Sequence, residues 1–271
     1  MSWHLNVPKI LHVYWSADPM YYLRYMTVKS FIEQNPDWKV MLWLPKHPYK
    51  VVTWNTIELN YKKDIKTDYF PELLKLDIEV HYVDMEDYGV SNEISEVHKS
   101  DYLRYWVLYQ YGGVYSDFDI LYFKPIEHLK VNVIENADVE TFVCISPRYG
   151  HSAGFYMASE GSLYFHHMHF KAKESIDSAD YQSVGPNLVN KLFPTLESIA
   201  KVSNVQEIGM EAVYAHDGQH IPDLYSGVSS RFTENSIGCH WYAGHPLSGV
   251  FLNKTNGGLE NLPNNIISNL L

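Results

Sequence analysis

The stretch Lys99–Ile120, KSDYLRYWVLYQYGGVYSDFDI, restricts the fold more than any other part of the chain. It predicts a helix over Ser95–Tyr111, with Ser95 placed to cap it and Gly112-Gly113 to end it. A strand, Val114–Phe118, is expected at once. Between Ser100 and Tyr111 the only charges are Asp101 and Arg104, and the rest is apolar or aromatic nearly all round. Such a helix is buried. Asp101 and Arg104 are three apart and share a face with Val97 and Leu108. A charge on a buried face is costly unless it is paired or bound to something. Two readings stay open: an internal ion pair, or a polar pair aimed at a sugar or ribose hydroxyl.

Asp117 and Asp119 stand at the end of the expected strand. Strand side chains alternate, so residues two apart point the same way. Two carboxylates on one side repel unless a cation sits between them, and hard ions such as Mg²⁺ or Mn²⁺ favour oxygen ligands. Ligands of open α/β sheets bind beyond the carboxyl ends of the strands, where this pair falls. The plain alternative is a solvated Asp-x-Asp turn.

Elsewhere strand-like and helix-like segments alternate, which favours an α/β fold. Strands are expected at Lys9–Trp15, Lys39–Leu44 (stopped by Pro45), Val80–Val83, Thr141–Ser146 (closed by Pro147) and Ile237–Tyr242. Helices are expected at Tyr21–Gln34, Leu163–Lys173 and Asn187–Leu192, the last after a Gly185-Pro186 turn. With 271 residues and no repeat or linker, the expectation is one domain whose first half is built on a mostly parallel sheet.

A formal net charge of −11 argues against wrapping a nucleic-acid backbone. The 22 tyrosines and 7 tryptophans suit stacking on bases and sugars, but they also fill cores. Cys144 and Cys239 lie in apolar stretches and read as buried thiols in a reducing compartment. No apolar run reaches bilayer length and no signal-peptide layout is present, so a cytoplasmic setting, bacterial-type or viral, is expected. Without a secretory signal, the sequon Asn253-Lys254-Thr255 reads as coincidence.

The order Ser100-Asp101-x-x-Arg104, Leu108, Gly112-Gly113-x-Tyr115-x-Asp117-x-Asp119 resembles the DXD sugar-binding region of glycosyltransferase family 32. The catalytic domain of the large clostridial glucosylating toxins carries a similar pattern. Pro8-Lys9-Ile10-Leu11-His12, Trp15 and Asn35-Pro36-Asp37-Trp38 also look like the family's, whereas Val97-His98 replaces the small residues frequent in relatives. The resemblance implies a GT-A fold. Residues about 1–125 would be the nucleotide-sugar half and about 126–271 the acceptor-side half. It implies a nucleotide-diphosphate sugar donor, UDP-sugar ahead of GDP-sugar, with Mn²⁺ or Mg²⁺. Tyr14 and Trp15 would line the base pocket. Ser100, Asp101, Arg104 and Tyr115 would serve the donor, and Asp101, Arg104 and Asp119 the catalytic step. Asp117 would contact ribose and metal, and Asp119 would ligate the metal. His240, in Cys239-His240-Trp241-Tyr242-Ala243-Gly244, resembles the late third ligand. His245-Pro246 replaces the usual Ser-Trp, with His245 a substitute donor to phosphate. Ser152-Ala153-Gly154 falls where relatives line the acceptor region. Trp241 sits within a motif and is expected to shape the site.

The function expected is a metal-dependent, retaining glycosyltransferase acting on a glycan, lipid-linked or protein acceptor. The alternative is a lectin-like or inactive scaffold on the same fold, which the joint presence of Asp101, Arg104, Asp117 and Asp119 disfavours. A haloacid-dehalogenase-like phosphatase fails on two counts: its Asp-x-Asp belongs on the first strand, and Leu121 stands where Thr or Val is needed. In Phe165-His166-His167-Met168-His169, His166 and His169 share a face but lack partners spaced for zinc, so a solvated or acceptor-side surface is expected.

Overall fold

The computed structural model describes residues 6–52, 54, 66–131, 139–146, 150–227, 230–255 and 262–271. In chain order, β1 (Ile10–Tyr14), α1 (Tyr22–Gln34), β2 (Lys39–Pro45), the short α2 (Phe70–Leu73) and β3 (Glu79–Val83) come first. They lead into α3 (Glu96–Tyr111), β4 (Gly113–Ser116), β5 (Ile120–Tyr122), β6 (Thr141–Ser146), β7 (Gly150–Ala158) and α4 (Leu163–Ser175). Then follow α5 (Pro186–Leu192), α6 (Leu196–Ala200), β8 (Val205–Ile208), α7 (Asp223–Ser226), β9 (Gly238–His240), α8 (Pro246–Lys254) and α9 (Ile266–Asn269).

Seven strands form one sheet in the order β3-β2-β1-β4-β7-β6-β8. The first four are mutually parallel; β7 runs antiparallel to both β4 and β6, and β8 is parallel to β6. This is the expected mostly parallel sheet flanked by helices. A sheet covered on both faces needs apolar side chains on both, and β1 and β2 supply them by alternation. Leu11, Val13, Val40, Leu42 and Leu44 enter one core with Phe31 of α1. Tyr14, Met41 and Trp43 enter the other with Tyr102, Leu103 and Tyr105 of α3. Each large apolar side chain buried this way contributes roughly 1.5–3 kcal/mol. Cys144 is a buried free thiol in the first of these cores and Cys239 one in a third, with Trp241 and Leu252, as expected. Among the described residues no helix is long and apolar enough to cross a membrane.

The helix-to-strand junction works as expected. The Ser95 hydroxyl accepts from the His98 amide at 3.1 Å, and α3 stops at Gly112. Gly112 and Gly113 have φ of +63° and +94°, which side chains rarely adopt. Space demands glycine as well: a Cβ would fall 2.5 Å from the Glu160 nitrogen at the first and 2.5 Å from the Ile10 oxygen at the second. The chain thus turns straight from α3 into β4, beside β1. His12, wholly buried on β1, ties down the same junction. Its Nδ1 accepts from Trp43 Nε1 at 3.2 Å, which leaves Nε2 to donate to the Gly112 carbonyl at 3.0 Å.

Several expectations are corrected. Strand β4 ends at Ser116, so Asp117 and Asp119 lie in the turn between β4 and β5, and strand alternation does not orient them. The late strand is only Gly238–His240, because the chain turns away at Tyr242, whose φ is +54°. Pro45 is the last residue of β2 rather than its stop. Pro147 lies outside the described residues. The strands β5, β7 and β8 were not expected. β7, GHSAGFYMA, has neither alternation nor β-branched residues, and its place is set by pairing with β4 and β6.

Candidate functional site

A cavity of about 230 Å³ opens beyond the carboxyl ends of β1 and β4. Tyr14, Trp15 and Ser16 line it from the end of β1, and Arg24 from α1. Glu96, Val97, Ser100 and Arg104 come from α3, the Asp117–Asp119 turn from below, and Ala243-Gly244 from beyond β9.

Arg104 organises this site. Its Nη2 lies 2.5 Å from Asp101 Oδ1 and 3.2 Å from Asp117 Oδ1, and its Nη1 donates to the Ala153 carbonyl. The guanidinium lies 4.9 Å from the centre of the Tyr115 ring. Its Nε is buried without a hydrogen-bond partner among the described residues. A buried donor left unmade is costly, and here it belongs to a side chain on the cavity wall. Both open readings of the Asp101–Arg104 pair are therefore combined: an internal ion pair whose arginine faces the cavity.

Asp101 itself does not line the cavity. It is only 5% exposed, enclosed by Arg104 and by Gly185, where a Cβ would stand 2.8 Å from Asp101 Oδ2. Burial pushes its carboxyl up to about 6, against the pull of Arg104. The expectation that Asp101 meets the donor is thus corrected: Asp101 sits behind Arg104. Tyr115 is likewise behind the wall, buried under Arg104, with its hydroxyl 2.8 Å from Ser100 Oγ; of these two, Ser100 reaches the cavity.

Tyr14 and Trp15 both stand on the cavity wall at the end of β1. Trp15 lines the cavity, edge-on to Phe118 at 5.2 Å, and its Nε1 donates to the Asp18 carbonyl at 2.7 Å. Tyr14 donates to Glu96 Oε2 at 2.5 Å. Glu96 Oε1 accepts from the Tyr49 amide at 2.7 Å and from the fully buried Lys99 at 2.8 Å.

The small β5–β9 sheet brings the late element to the DXD turn. Ile120 pairs with His240, and the Trp241 amide donates to the Asp119 carbonyl at 2.8 Å. His240 Nε2 then lies 3.1 Å from Asp119 Oδ1, while Asp119 Oδ2 accepts from the Ala243 amide at 3.0 Å. Burial works to raise the Asp119 carboxyl, but His240, Arg24 and the Ala243 amide together hold it well below the usual carboxylate range. Asp117 moves the other way. Loss of solvent raises it, Arg104 opposes, and the neighbouring Asp119 adds to the rise.

The expected metal set of Asp117, Asp119 and His240 is only partly assembled. Among the described residues no three His, Cys, Asp or Glu side chains form a group able to hold an ion. His240 faces Asp119, and Asp117 faces Arg104, so the three do not converge. The two carboxylates remain hard oxygen donors whose mutual repulsion a cation relieves, and that donor chemistry fits Mn²⁺ or Mg²⁺. His245 caps α8, its Nδ1 accepting from the Leu247 amide at 3.3 Å, and it does not line the cavity. Trp241 is wholly buried in a core with Leu252 and Ile267 instead of shaping the cavity. His169 is buried against Tyr109, ring centres 5.3 Å apart, while His166 on the same face is partly exposed. Ala153 and Gly154 lie on β7 behind Arg104 and Asp117.

Sequence reasoning missed Arg24 and Glu96. Arg24 is the single charge in the aromatic first turn of α1 and lies 5.3 Å from the Trp15 ring. A buried arginine there was the available signal. Glu96 looked like an ordinary acidic residue in the first turn of a helix.

Residues 24–139 match the family model described as "Glycosyltransferase sugar-binding region containing DXD motif". The chain is also similar to inositol phosphoceramide mannosyltransferase 3 of Schizosaccharomyces pombe, at 27% identity over 114 residues. The match covers 42% of this chain and 24% of that protein, so the chain spans about a quarter of the relative's length. Among solved structures it is similar to the PaToxG glycosyltransferase, with TM-score 0.47, 14% identity and coverage of 72% of each chain. An active-site mutant of LgtC gives 0.43 and 15% identity, covering 86% of this chain and 87% of that one. GlyE of Streptococcus pneumoniae TIGR4 gives 0.43 and 10% identity, over 76% and 46%.

Proposed function

We propose that the protein is a metal-dependent glycosyltransferase. It would move a sugar from a nucleoside-diphosphate sugar, uridine or guanosine, to a hydroxyl acceptor. The observation that carries this reading is the Arg104 guanidinium, held by Asp101, Asp117 and Ala153 on the wall of a cavity floored by Asp117 and Asp119.

In this reading the Trp15 indole flanks the base. The guanidinium groups of Arg24 and Arg104, both on the cavity wall, donate to diphosphate or sugar oxygens, where a positioned guanidinium stabilises charge that develops as the sugar departs. Asp117 and Asp119 would hold Mn²⁺ or Mg²⁺, with His240 next to Asp119. A bound divalent ion supplies Lewis-acid neutralisation of the leaving diphosphate. The three carboxylates on the cavity wall are all engaged: Asp117 with Arg104, Asp119 with His240 and Ala243, and Glu96 with Tyr14, Tyr49 and Lys99. None is poised to attack the sugar, which favours same-face substitution, with retention, over a covalent intermediate.

Calorimetric titration with a panel of UDP- and GDP-sugars, with and without Mn²⁺, tests the reading. One donor should bind in a Mn²⁺-dependent way, and Asp117→Ala or Asp119→Ala should abolish that binding. Silence across the panel overturns it.

A further inference from the structure

Glu96, Ser100 and Arg104 follow one another at intervals of four along α3, so one stripe of that helix lines the cavity over the DXD turn. A rise of 1.5 Å per residue puts the Glu96 backbone about 12 Å from that of Arg104. The two ends of the stripe differ in chemistry. Arg104 pairs with Asp117, and the charge of Arg24 acts on both Asp117 and Asp119, so the cationic donors gather at the DXD end. The Glu96 end presents acceptors.

Three donors hold the Glu96 carboxylate. The Tyr49 amide and the wholly buried Lys99 meet Oε1 at 2.7 and 2.8 Å, and the Tyr14 hydroxyl donates to Oε2 at 2.5 Å. Lys99 also donates to the His47 carbonyl at 2.6 Å, which ties this network to the segment after β2. A carboxylate has about four lone-pair sites, so Oε2 keeps one. The Glu96 side chain is still 16% exposed, on the cavity wall. The Tyr14 oxygen has given its one proton to Glu96 and can only accept from a ligand. Burial and the charge of Glu96 raise this phenol well above its usual range, so the proton stays.

The neighbouring side chains add no donor. Trp15 Nε1 is spent on the Asp18 carbonyl and the Ser16 hydroxyl on Asp18 Oδ2, both at 2.7 Å. Val97 contributes apolar surface. This part of the wall therefore offers a pair of acceptors 2.5 Å apart, beside an indole.

We infer that Glu96 and Tyr14 read the base of the donor and that this base is guanine; the inference rests on the transferase reading above. Guanine alone among the common bases carries two adjacent donors on its Watson–Crick edge, N1–H and the N2 amino group. Glu96 Oε2 accepts from the first and the Tyr14 oxygen from the second, with the bond to the carboxylate strengthened by its charge. Uracil has one N–H between two carbonyl oxygens, and adenine and cytosine have one amino group beside a ring acceptor. Each of these would set lone pairs against Glu96 or Tyr14, and a site built to bond N–H groups rejects ligands that lack them.

Calorimetry on the native protein with Mn²⁺ and the diphosphates of guanosine, inosine, uridine and adenosine tests this. Inosine differs from guanosine only in lacking the N2 amino group. GDP should bind at least about tenfold more tightly than inosine diphosphate, and more tightly still than UDP or ADP. Tyr14→Phe should bring the affinities for GDP and inosine diphosphate together. Glu96→Gln should weaken GDP about tenfold or more and leave UDP unchanged. If a variant does not fold, the native panel decides. UDP bound as tightly as GDP, no discrimination between GDP and inosine diphosphate, or a guanine preference that survives both substitutions overturns the inference. A UDP-sugar bound and turned over in place of a GDP-sugar removes the guanine pocket and keeps the transferase. A guanine preference without turnover of any GDP-sugar keeps the pocket and removes the transferase.

Discussion

His240 Nε2 lies 3.1 Å from Asp119 Oδ1 because β5 begins one residue after Asp119 and pairs with the strand that ends in His240. The contact joins residues 121 positions apart through a two-stranded ladder. It holds Asp119 ionised and fixes one of the two carboxylates that would hold the cation in the function proposed above. His240→Ala should therefore raise the Mn²⁺ concentration needed for half-maximal donor binding by about tenfold. Asp119→Asn should remove the dependence on Mn²⁺ altogether. Manganese titrations followed by calorimetry check both, and equal Mn²⁺ affinity in His240→Ala would show that the imidazole has no part in the metal site.

Arg104→Lys keeps the charge and loses the fork. A lysine ammonium does not span Asp101, Asp117 and the Ala153 carbonyl together. Disturbing a buried, hydrogen-bonded pair of this kind costs about 3–5 kcal/mol when a partner is lost, and less when charge is retained. The variant should unfold at lower denaturant concentration than the native protein. Its donor affinity should fall at least about tenfold under conditions where it is folded. Urea titration and calorimetry measure the two effects separately.

Gly185→Ala is predicted to act on Asp101 at a distance from the cavity. The new methyl group would stand 2.8 Å from Asp101 Oδ2, closer than side chains pack. Asp101 is held on its other side by Arg104, so the strain passes to the guanidinium. Overpacking of this sort costs about 1–3 kcal/mol. Loss of thermal stability together with weaker donor binding is expected. A shift in thermal stability alone would mean that the loop moves and the arginine does not.

The residues that face the cavity were only partly legible in the sequence. Local pattern was enough for α3, its Ser95 cap and its Gly112-Gly113 stop, since all three depend on neighbours within a few residues. The apolar runs of β1 and β2 reported a sheet covered on both faces. Long-range pairing carries no such signature. β5 has three residues and acquires its conformation from β9, and β7 is held by strands on both sides. For the same reason the sequence could place Asp101 beside Arg104 but not show which of them faced the cavity. Gly185, 84 residues later, decides that by enclosing Asp101. Arg24 was concealed by the aromatic residues around it on α1, although its burial against Trp15 brings it to the site.

Two buried groups should oppose one another in the pH dependence of stability. Burial raises the Asp101 carboxyl from 3.8 to about 6, so between these values the folded protein holds a proton that the unfolded chain has lost. Stability from this group falls as pH rises through that window. His12 does the reverse. Burial lowers its imidazole from 6.5 to about 4, so the unfolded chain binds the extra proton and stability rises with pH over that window. Each contribution is on the order of 3 kcal/mol, and in the native protein they nearly cancel between about pH 4 and 6. Asp101→Asn removes the first and leaves the second. Its unfolding free energy should climb more steeply with pH across this range than that of the native protein. Urea denaturation at half-unit steps from pH 4 to 6.5 reads the slopes. Parallel slopes in the two proteins would mean that Asp101 stays ionised throughout. Below about pH 6 the native Asp101 also loses its charge and loosens its hold on Arg104, so donor affinity should decline with it, and that decline should be absent from the pH profile of Asp101→Asn.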